Sequence, residues 1–112
     1  MKTDYRLRKN KDFQHVYRKG KSAASRSIVM IHLPLRELKV GFCVSKKVGN
    51  SVCRNRVKRL MKEAFRSVLP NVGEAKIVFV ARVAIVGKDY EQIRKEMVGL
   101  LKRGSLWKDI QV

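Results

Sequence analysis

The sequence is poor in several residue types that define other classes of protein. Of its 112 residues, two are cysteine, two are proline and nine are acidic. The cysteines, Cys43 and Cys53, match no zinc-binding spacing and are too few for a disulfide scaffold. No apolar run approaches the roughly 20 residues of a membrane span, and the charged start is unlike a secretory signal. These absences predict a protein of the reducing cytoplasm.

Cationic and apolar residues are abundant instead. Lys and Arg number 27 against nine Asp and Glu, which leaves a formal charge of +18. Hydrophobic residues make up 45% of the chain, enough for a core, and the length is typical of one domain. So large a charge disfavours a compact state unless a polyanion neutralises it. We therefore expect a nucleic-acid partner, with an anionic membrane surface as the second choice.

Hydrophobic periodicity predicts the order helix, two strands, helix, strand, helix. The predicted helices cover residues 10–19, 51–69 and 88–103. The predicted strands cover residues 25–33, 38–45 and 76–82, and the last is a continuous apolar run typical of burial on both faces. Residues 34–37 suit a hairpin loop between the first two strands. This order predicts a single-domain α+β sandwich with one core.

The central predicted helix carries cations where they reduce its stability. Eight basic residues and one acid, Glu63, lie between Lys46 and Arg66. Like charges recur four residues apart, and each such pair costs up to about 0.5 kcal/mol. Arg54 and Arg56 occupy the first turn, where the helix dipole makes each cation cost roughly 0.3–1 kcal/mol. Phosphate binding would explain this cost, because helix N-termini and Arg side chains both hold phosphate.

The predicted nucleic-acid-binding residues lie on this helix or in the segment before it. Asn55 among them supplies a donor and an acceptor, so it can contact a base or a 2′-hydroxyl. An ordinary solvated basic face is the alternative interpretation. The predicted residues are Lys46, Lys47, Asn50, Arg54, Asn55, Arg56, Lys58, Arg59, Lys62 and Arg66.

The sequence around the start of this helix resembles that of a known family. Residues 45–52 read Ser-Lys-Lys-Val-Gly-Asn-Ser-Val, and residues 54–60 read Arg-Asn-Arg-Val-Lys-Arg-Leu. This string is similar to the signature of the bacterial ribonuclease P protein subunit. The similarity extends to residues 11–13 and 81–82, and it covers about residues 6–107.

The resemblance implies a subunit of the endoribonuclease that removes the 5′ leader of precursor tRNA. In this family a large RNA carries the catalysis. The implied partners are this catalytic RNA, which binds the basic helix, and precursor tRNA; no membrane and no protein partner is required. The implied cofactor is Mg²⁺ in the holoenzyme, bound mainly by RNA, with none intrinsic to the polypeptide.

The resemblance also implies details of the fold. It implies a mixed four-stranded sheet with a short strand after the first two, and a left-handed β-α-β crossover that breaks the usual right-handed rule. We expect one RNA-binding domain over residues 1–112, with flexible ends at residues 1–8 and 106–112.

A cleft between the first helix and the sheet is implied to guide the single-stranded leader. Phe13 and Tyr17 would lie on its helix side and Arg82 at its floor. Each base stacked on an aromatic ring is worth roughly 1–3 kcal/mol. The alternative is that both rings anchor the helix to the sheet. Residues 28–32 lack the aromatic that family members often place in this strand, and His32 is the candidate to replace it.

The polypeptide itself is predicted to have no catalytic residue and no metal ligand. His15 and His32 lie in no recognisable motif, and the nine acids are dispersed. A structural RNA-binding protein of ribosomal type is the main alternative, because it would have the same charge but no leader cleft. A DNA-binding module comes third, because Lys-rich faces contact phosphates more than bases.

Overall fold

The computed structural model describes residues 5–109, which form three helices and four strands. Short 3₁₀ turns follow β3, α2 and β4. All three predicted helices are confirmed, with ends that differ by at most two residues. The helices are α1 (Asn10–Lys19), α2 (Ser51–Val68) and α3 (Tyr90–Arg103), and the strands are β1 (Lys21–Ala24), β2 (Ile28–Leu33), β3 (Lys39–Val44) and β4 (Lys76–Ala81).

The strands form one mixed sheet in the order β1-β2-β4-β3. β2 pairs antiparallel with β1 and β4, and β3 pairs parallel with β4 through the connection that contains α2. The predicted mixed four-stranded sheet is therefore confirmed. The prediction placed a short strand after the first two strands, but the short strand is β1, the first in the chain. It ends early because the backbone turns at Ser25, whose N–H donates to Ile28 O at 2.8 Å.

Residues 34–37 do not form the predicted hairpin loop. β4 lies between β2 and β3 and pairs with both along its whole length. Ile77, Val78 and Phe79 of β4 are fully buried, as expected for a continuous apolar run in the middle of a sheet. Burial of this run on both faces outweighs the local pairing that a short loop between β2 and β3 would favour.

Helices cover both faces of the sheet. Alternate residues of β4 point to opposite faces, so Phe79 packs with α2 and α3, whereas Val78 packs with Val16 of α1 and with Leu7. The prediction of a single core was wrong, because a second, smaller cluster lies under α1. The sequence of α1 does not indicate this cluster, because Val16 is the one buried residue of the helix.

Three phenylalanine rings at the centre of the main core fix the orientation of α2. Phe42, Phe65 and Phe79 have ring centroids 5.8–5.9 Å apart. Aromatic pairs at this spacing contribute about 0.5–1.5 kcal/mol beyond their burial. Because Phe65 lies on the apolar stripe of α2, the opposite, basic face of this helix points to solvent.

The described residues near both ends, where the sequence predicts flexibility, contact the domain. The Leu7 N–H donates to Val40 O at 2.9 Å, and the Val40 N–H donates to Tyr5 O at 2.7 Å. Trp107 forms an isolated bridge with Val72. The large apolar residues of these segments pack against the two core clusters: Tyr5, Leu106 and Trp107 against the main one and Leu7 in the cluster under α1. Residues 1–4 and 110–112 of the prediction lie outside the described residues.

Candidate nucleic-acid interface

The start of α2 is built by a tight turn and a side-chain cap. Asn50 is the N-cap residue, and its Oδ1 accepts a hydrogen bond of 2.9 Å from the Cys53 N–H. Gly49 precedes it with φ 158°, and a Cβ there would lie 2.9 Å from the sulfur of Cys53. This close approach favours glycine and orients the first turn of α2.

Nine of the ten predicted nucleic-acid-binding residues are exposed. The exception, Arg54, is half-buried. Within residues 5–109, none of the ten side chains is in an ion pair. The eight cations among them are therefore not neutralised by an acid in this part of the chain, and all ten residues lie on α2 or in the turn that precedes it. We call this set of ten residues the basic face.

Two members of the basic face also have structural roles. The Arg54 Nε donates to the Gly49 carbonyl at 3.2 Å and ties the turn to the helix. The side-chain Oδ1 of Asn50 accepts the capping hydrogen bond from the Cys53 N–H. The sequence signal for this cap is an Asn directly before a helical pattern. Of the two first-turn arginines, Arg56 is exposed and makes no such bond with the described residues.

A groove of about 340 Å³ lies between α1 and the carboxyl end of β3. Four residues of α1 at positions i, i+3, i+4 and i+7 form one wall, and β3 forms the other. Lys58 reaches the groove from α2 and places a cation on its lining. The lining residues are Asn10, Phe13, Gln14, Tyr17, Phe42, Cys43, Val44 and Lys58. We call this concavity the α1–β3 groove.

The two predicted aromatic residues lie in this groove but differ in environment. Phe13 is half-buried, and its ring covers Gly41 so closely that a Cβ at this glycine would lie 2.4 Å from two ring carbons. Tyr17 is 41% exposed, and its hydroxyl oxygen lies 3.0 Å from the Cys43 sulfur. Phe13 therefore anchors α1 to β3, while Tyr17 offers an accessible ring.

Arg82 does not line the groove. It follows the last residue of β4, and its Nη1 donates to the Ser25 carbonyl at 3.0 Å. Its backbone N–H donates to Ser27 O at 2.8 Å. Arg82 is exposed at the end of the sheet where the groove lies, but it turns towards β2.

His32 does not replace an aromatic in the groove. It alternates with Ile31 on β2, and Ile31 packs in the cluster under α1. A Cβ at Gly104, after α3, would lie 3.1 Å from His32 Nε2, which places His32 on the opposite face of the sheet. Burial, with the nearby Lys21 charge, lowers the pKa of His32.

The sequence prediction named Phe13 and Tyr17 for the groove and Lys58 for the catalytic RNA, and it missed the other five lining residues, Asn10, Gln14, Phe42, Cys43 and Val44. The first two were detectable, because they share the helical face of Phe13 and Tyr17. Cys43 alternates with Phe42 along β3 and so points to the opposite face, but its place under α1 depends on the sheet order.

Two further features bear on function. Within residues 5–109, no three His, Cys, Asp or Glu side chains converge in a way that would hold a metal ion. None of the described helices is both long enough and apolar enough to cross a membrane.

Comparison with known proteins shows similarity along nearly the whole chain. The family model described as Ribonuclease P matches residues 1–105. The ribonuclease P protein component of Listeria innocua is 38% identical over 112 residues, which cover 96% of this chain and 94% of that protein. The ribonuclease P protein component of Clostridium perfringens is 46% identical over 110 residues, covering 89% and 88%. The solved structure of the Staphylococcus aureus RNase P protein has a TM-score of 0.85 and 32% identity, covering 95% of this chain and 100% of that one.

Proposed function

The chain belongs to the ribonuclease P protein family, and from this premise we propose that its basic face binds the catalytic RNA while the α1–β3 groove holds the 5′ leader of precursor tRNA. Family membership makes the chain a subunit of an endoribonuclease that acts in tRNA 5′ processing, with an RNA partner. The two binding surfaces are our assignment.

The exposed, unpaired cations of α2 carry the proposal. A helix that only stabilised the fold would pair Lys58, Lys62 and Arg66 with acids on neighbouring turns, whereas Glu63 is the one acid of α2. RNA phosphates near these side chains would release their counterions on binding, which makes affinity strongly dependent on salt. At the start of α2 the Asn50 side chain caps the Cys53 N–H, and the other backbone N–H groups of the first turn favour the same anions.

The α1–β3 groove has the chemistry that single-stranded RNA requires. It combines an exposed ring, Tyr17, with a cation, Lys58, and the amides of Asn10 and Gln14. Rings stack on any base, cations attract the phosphates, and amides donate and accept hydrogen bonds at base edges. An enclosed apolar cavity would instead suit a small ligand.

We propose that RNA binds most of the Mg²⁺ of the holoenzyme and that the polypeptide acts on the RNA. Nine acids against 27 cations make the protein an attractive surface for phosphates and a poor one for divalent cations. The cations of α2 would lower the repulsion between neighbouring RNA phosphates and so favour the folded RNA.

Reconstitution tests this proposal. The purified protein is mixed with a bacterial ribonuclease P RNA and labelled precursor tRNA at low magnesium concentration, and leader release is followed. We expect efficient cleavage only when both macromolecules are present. Lys95→Ala, which removes an exposed cation from α3, serves as the charge-matched control for changes in α2. Cleavage that does not depend on the polypeptide would contradict the proposal.

A further inference from the structure

A second concavity of about 340 Å³ lies at the amino ends of α1 and β3. The segment before α1, the loop after β2 and the first residues of β3 and β4 enclose it. Five of its lining side chains are cations, and we call it the basic pocket. These cations are Arg6, Arg8, Lys9, Lys39 and Lys76.

Two acids accompany the five cations among the lining residues of the basic pocket. They are Asp12 and Glu37. Asp12 already pairs with Lys76, whose Nζ lies 3.4 Å from Asp12 Oδ1. Lys9 is exposed, and its side chain is in no ion pair within residues 5–109. Cations therefore outnumber acids among the lining residues, and Lys9 is the cation at an accessible position that the structure leaves unpaired within residues 5–109.

The basic pocket adjoins the α1–β3 groove. Asn10 lines the groove, and the preceding residue, Lys9, lines the pocket. β3 repeats this order, since Lys39 lines the pocket and Val44 lines the groove. The two concavities thus follow one another along α1 and β3, and a strand that leaves the groove past Asn10 meets the pocket next.

We propose that the basic pocket binds phosphates of leader nucleotides that extend beyond the α1–β3 groove. This inference rests on the proposed function, in which the groove holds the leader. The ligand is a phosphodiester backbone, because the pocket supplies cations and no exposed aromatic ring among its lining residues. The contact would add affinity for long leaders without reading their sequence.

The location of the pocket favours the leader over the catalytic RNA. The basic face begins after the carboxyl end of β3, whereas the pocket lies at its amino end. The six residues of β3 separate them by roughly 20 Å at about 3.3 Å per residue. The pocket also lies beside α1, on the face of the sheet opposite α2.

A leader-length series with Lys9→Gln tests the inference in the reconstituted holoenzyme. Precursor tRNAs with progressively longer leaders are compared for affinity and for its dependence on salt. Lys11→Gln is the matched control, because Lys11 is an exposed cation of α1 outside both concavities. For long leaders, loss of one phosphate contact should lower the slope of log affinity against log salt by about 0.7, or about fivefold in affinity near 0.1 M salt.

The outcomes distinguish this inference from the proposed function. We expect Lys9→Gln to match the wild type with short leaders and to lose affinity only once the leader extends past the groove. Equal losses with all substrates, including leaderless tRNA, would overturn the inference and indicate a contact with the catalytic RNA. An unchanged length series would overturn it too. If the wild type itself bound leader-bearing and mature tRNA equally, the leader-binding role of the groove would fail instead.

Discussion

The hydroxyl oxygen of Tyr17 on α1 lies 3.0 Å from the sulfur of Cys43 on β3, and this hydrogen bond crosses the α1–β3 groove. Burial of the phenol, with the hydrogen bond to Cys43 and the electrostatic influence of that side chain, raises the pKa of Tyr17, so the hydroxyl is protonated at neutral pH. One end of the ring is therefore fixed to the sheet while 41% of the residue stays exposed. This geometry gives the groove a fixed platform for a base.

Replacing Tyr17 by alanine should reduce selection for the leader. Loss of one stacked base costs roughly 1–3 kcal/mol, so affinity for leader-bearing precursor tRNA should fall by about 5- to 150-fold. Affinity for mature tRNA, which has no leader, should stay constant. The measurement is the ratio of the two dissociation constants for the reconstituted holoenzyme.

Tyr17→Phe is the matched control, because it keeps the ring and removes only the bond to Cys43. We expect it to retain most of the leader selection. A variant with equal losses for both RNAs would show that Tyr17 supports the fold or the catalytic RNA contact and does not bind the leader.

Gly41→Ala should destabilise the protein through Phe13. The new Cβ would lie 2.4 Å from two ring carbons of Phe13, so the ring must move. Overpacking of this kind typically costs about 1–3 kcal/mol, and thermal unfolding measures it. The displaced ring should also change the groove and weaken leader binding.

Gly99→Ala is the control for the same chemical change. Gly99 is exposed within α3, and its new Cβ would meet no atom within 4 Å. Because alanine has a higher helix propensity than glycine, this change should stabilise the protein by up to about 1 kcal/mol. Equal effects at both glycines would contradict the close contact of Phe13 with Gly41.

The sequence predicted the two faces of α2 well because local spacing determines them. Val57, Met61 and Phe65 recur four residues apart, and three cations lie between them, so one helix gives both the core and the basic face. The order of the strands depends on contacts between residues far apart in the chain. Local patterns could not show that β4 separates β2 from β3.

The same distinction between local spacing and contacts of residues far apart in the chain applies to the candidate site. The resemblance implied that Phe13 and Tyr17 lie on the wall of the cleft, and their spacing of four residues places both rings on one helical face. Arg82 was assigned to the groove floor, but its position depends on the β1–β2 turn, whose Ser25 carbonyl accepts its hydrogen bond. The sequence contains no local signal for such a contact.

Arg56→Ala and Arg54→Ala should separate RNA binding from stability. Both changes should weaken association with the catalytic RNA and reduce its salt dependence, by about 0.9 in slope for each lost phosphate contact in a duplex. Arg56→Ala should leave the Tm unchanged or slightly raised, because it removes an exposed cation from the first turn. Arg54→Ala also removes the bond to the Gly49 carbonyl, so it should lose about 0.5–1 kcal/mol.

Filter binding at several salt concentrations and thermal unfolding measure these two effects. A clear fall in Tm for Arg56→Ala would make this residue structural. Unchanged RNA affinity for both variants would remove the start of α2 from the proposed RNA surface.

Glu96 should make part of the stability dependent on acid pH. Its carboxylate accepts hydrogen bonds from the Ser25 hydroxyl and from the Ser27 N–H, the latter at 2.8 Å. Burial opposes ionisation, but these bonds outweigh it and lower the pKa of Glu96 below its ordinary value. Because the pKa is lower in the folded state than in the unfolded chain, the stabilisation is present above about pH 4.5 and is lost as the pH falls through the folded-state pKa.

Glu96→Gln keeps an acceptor oxygen but removes the titration. At neutral pH we expect it to lose about 1 kcal/mol, because hydrogen bonds to a neutral acceptor are weaker than those to a carboxylate. Between pH 5 and pH 3 its Tm should fall less than that of the wild type, since the variant has no carboxylate to protonate at this position. Parallel Tm curves for the two proteins over this range would show that the β1–β2 turn does not depend on the charge of Glu96.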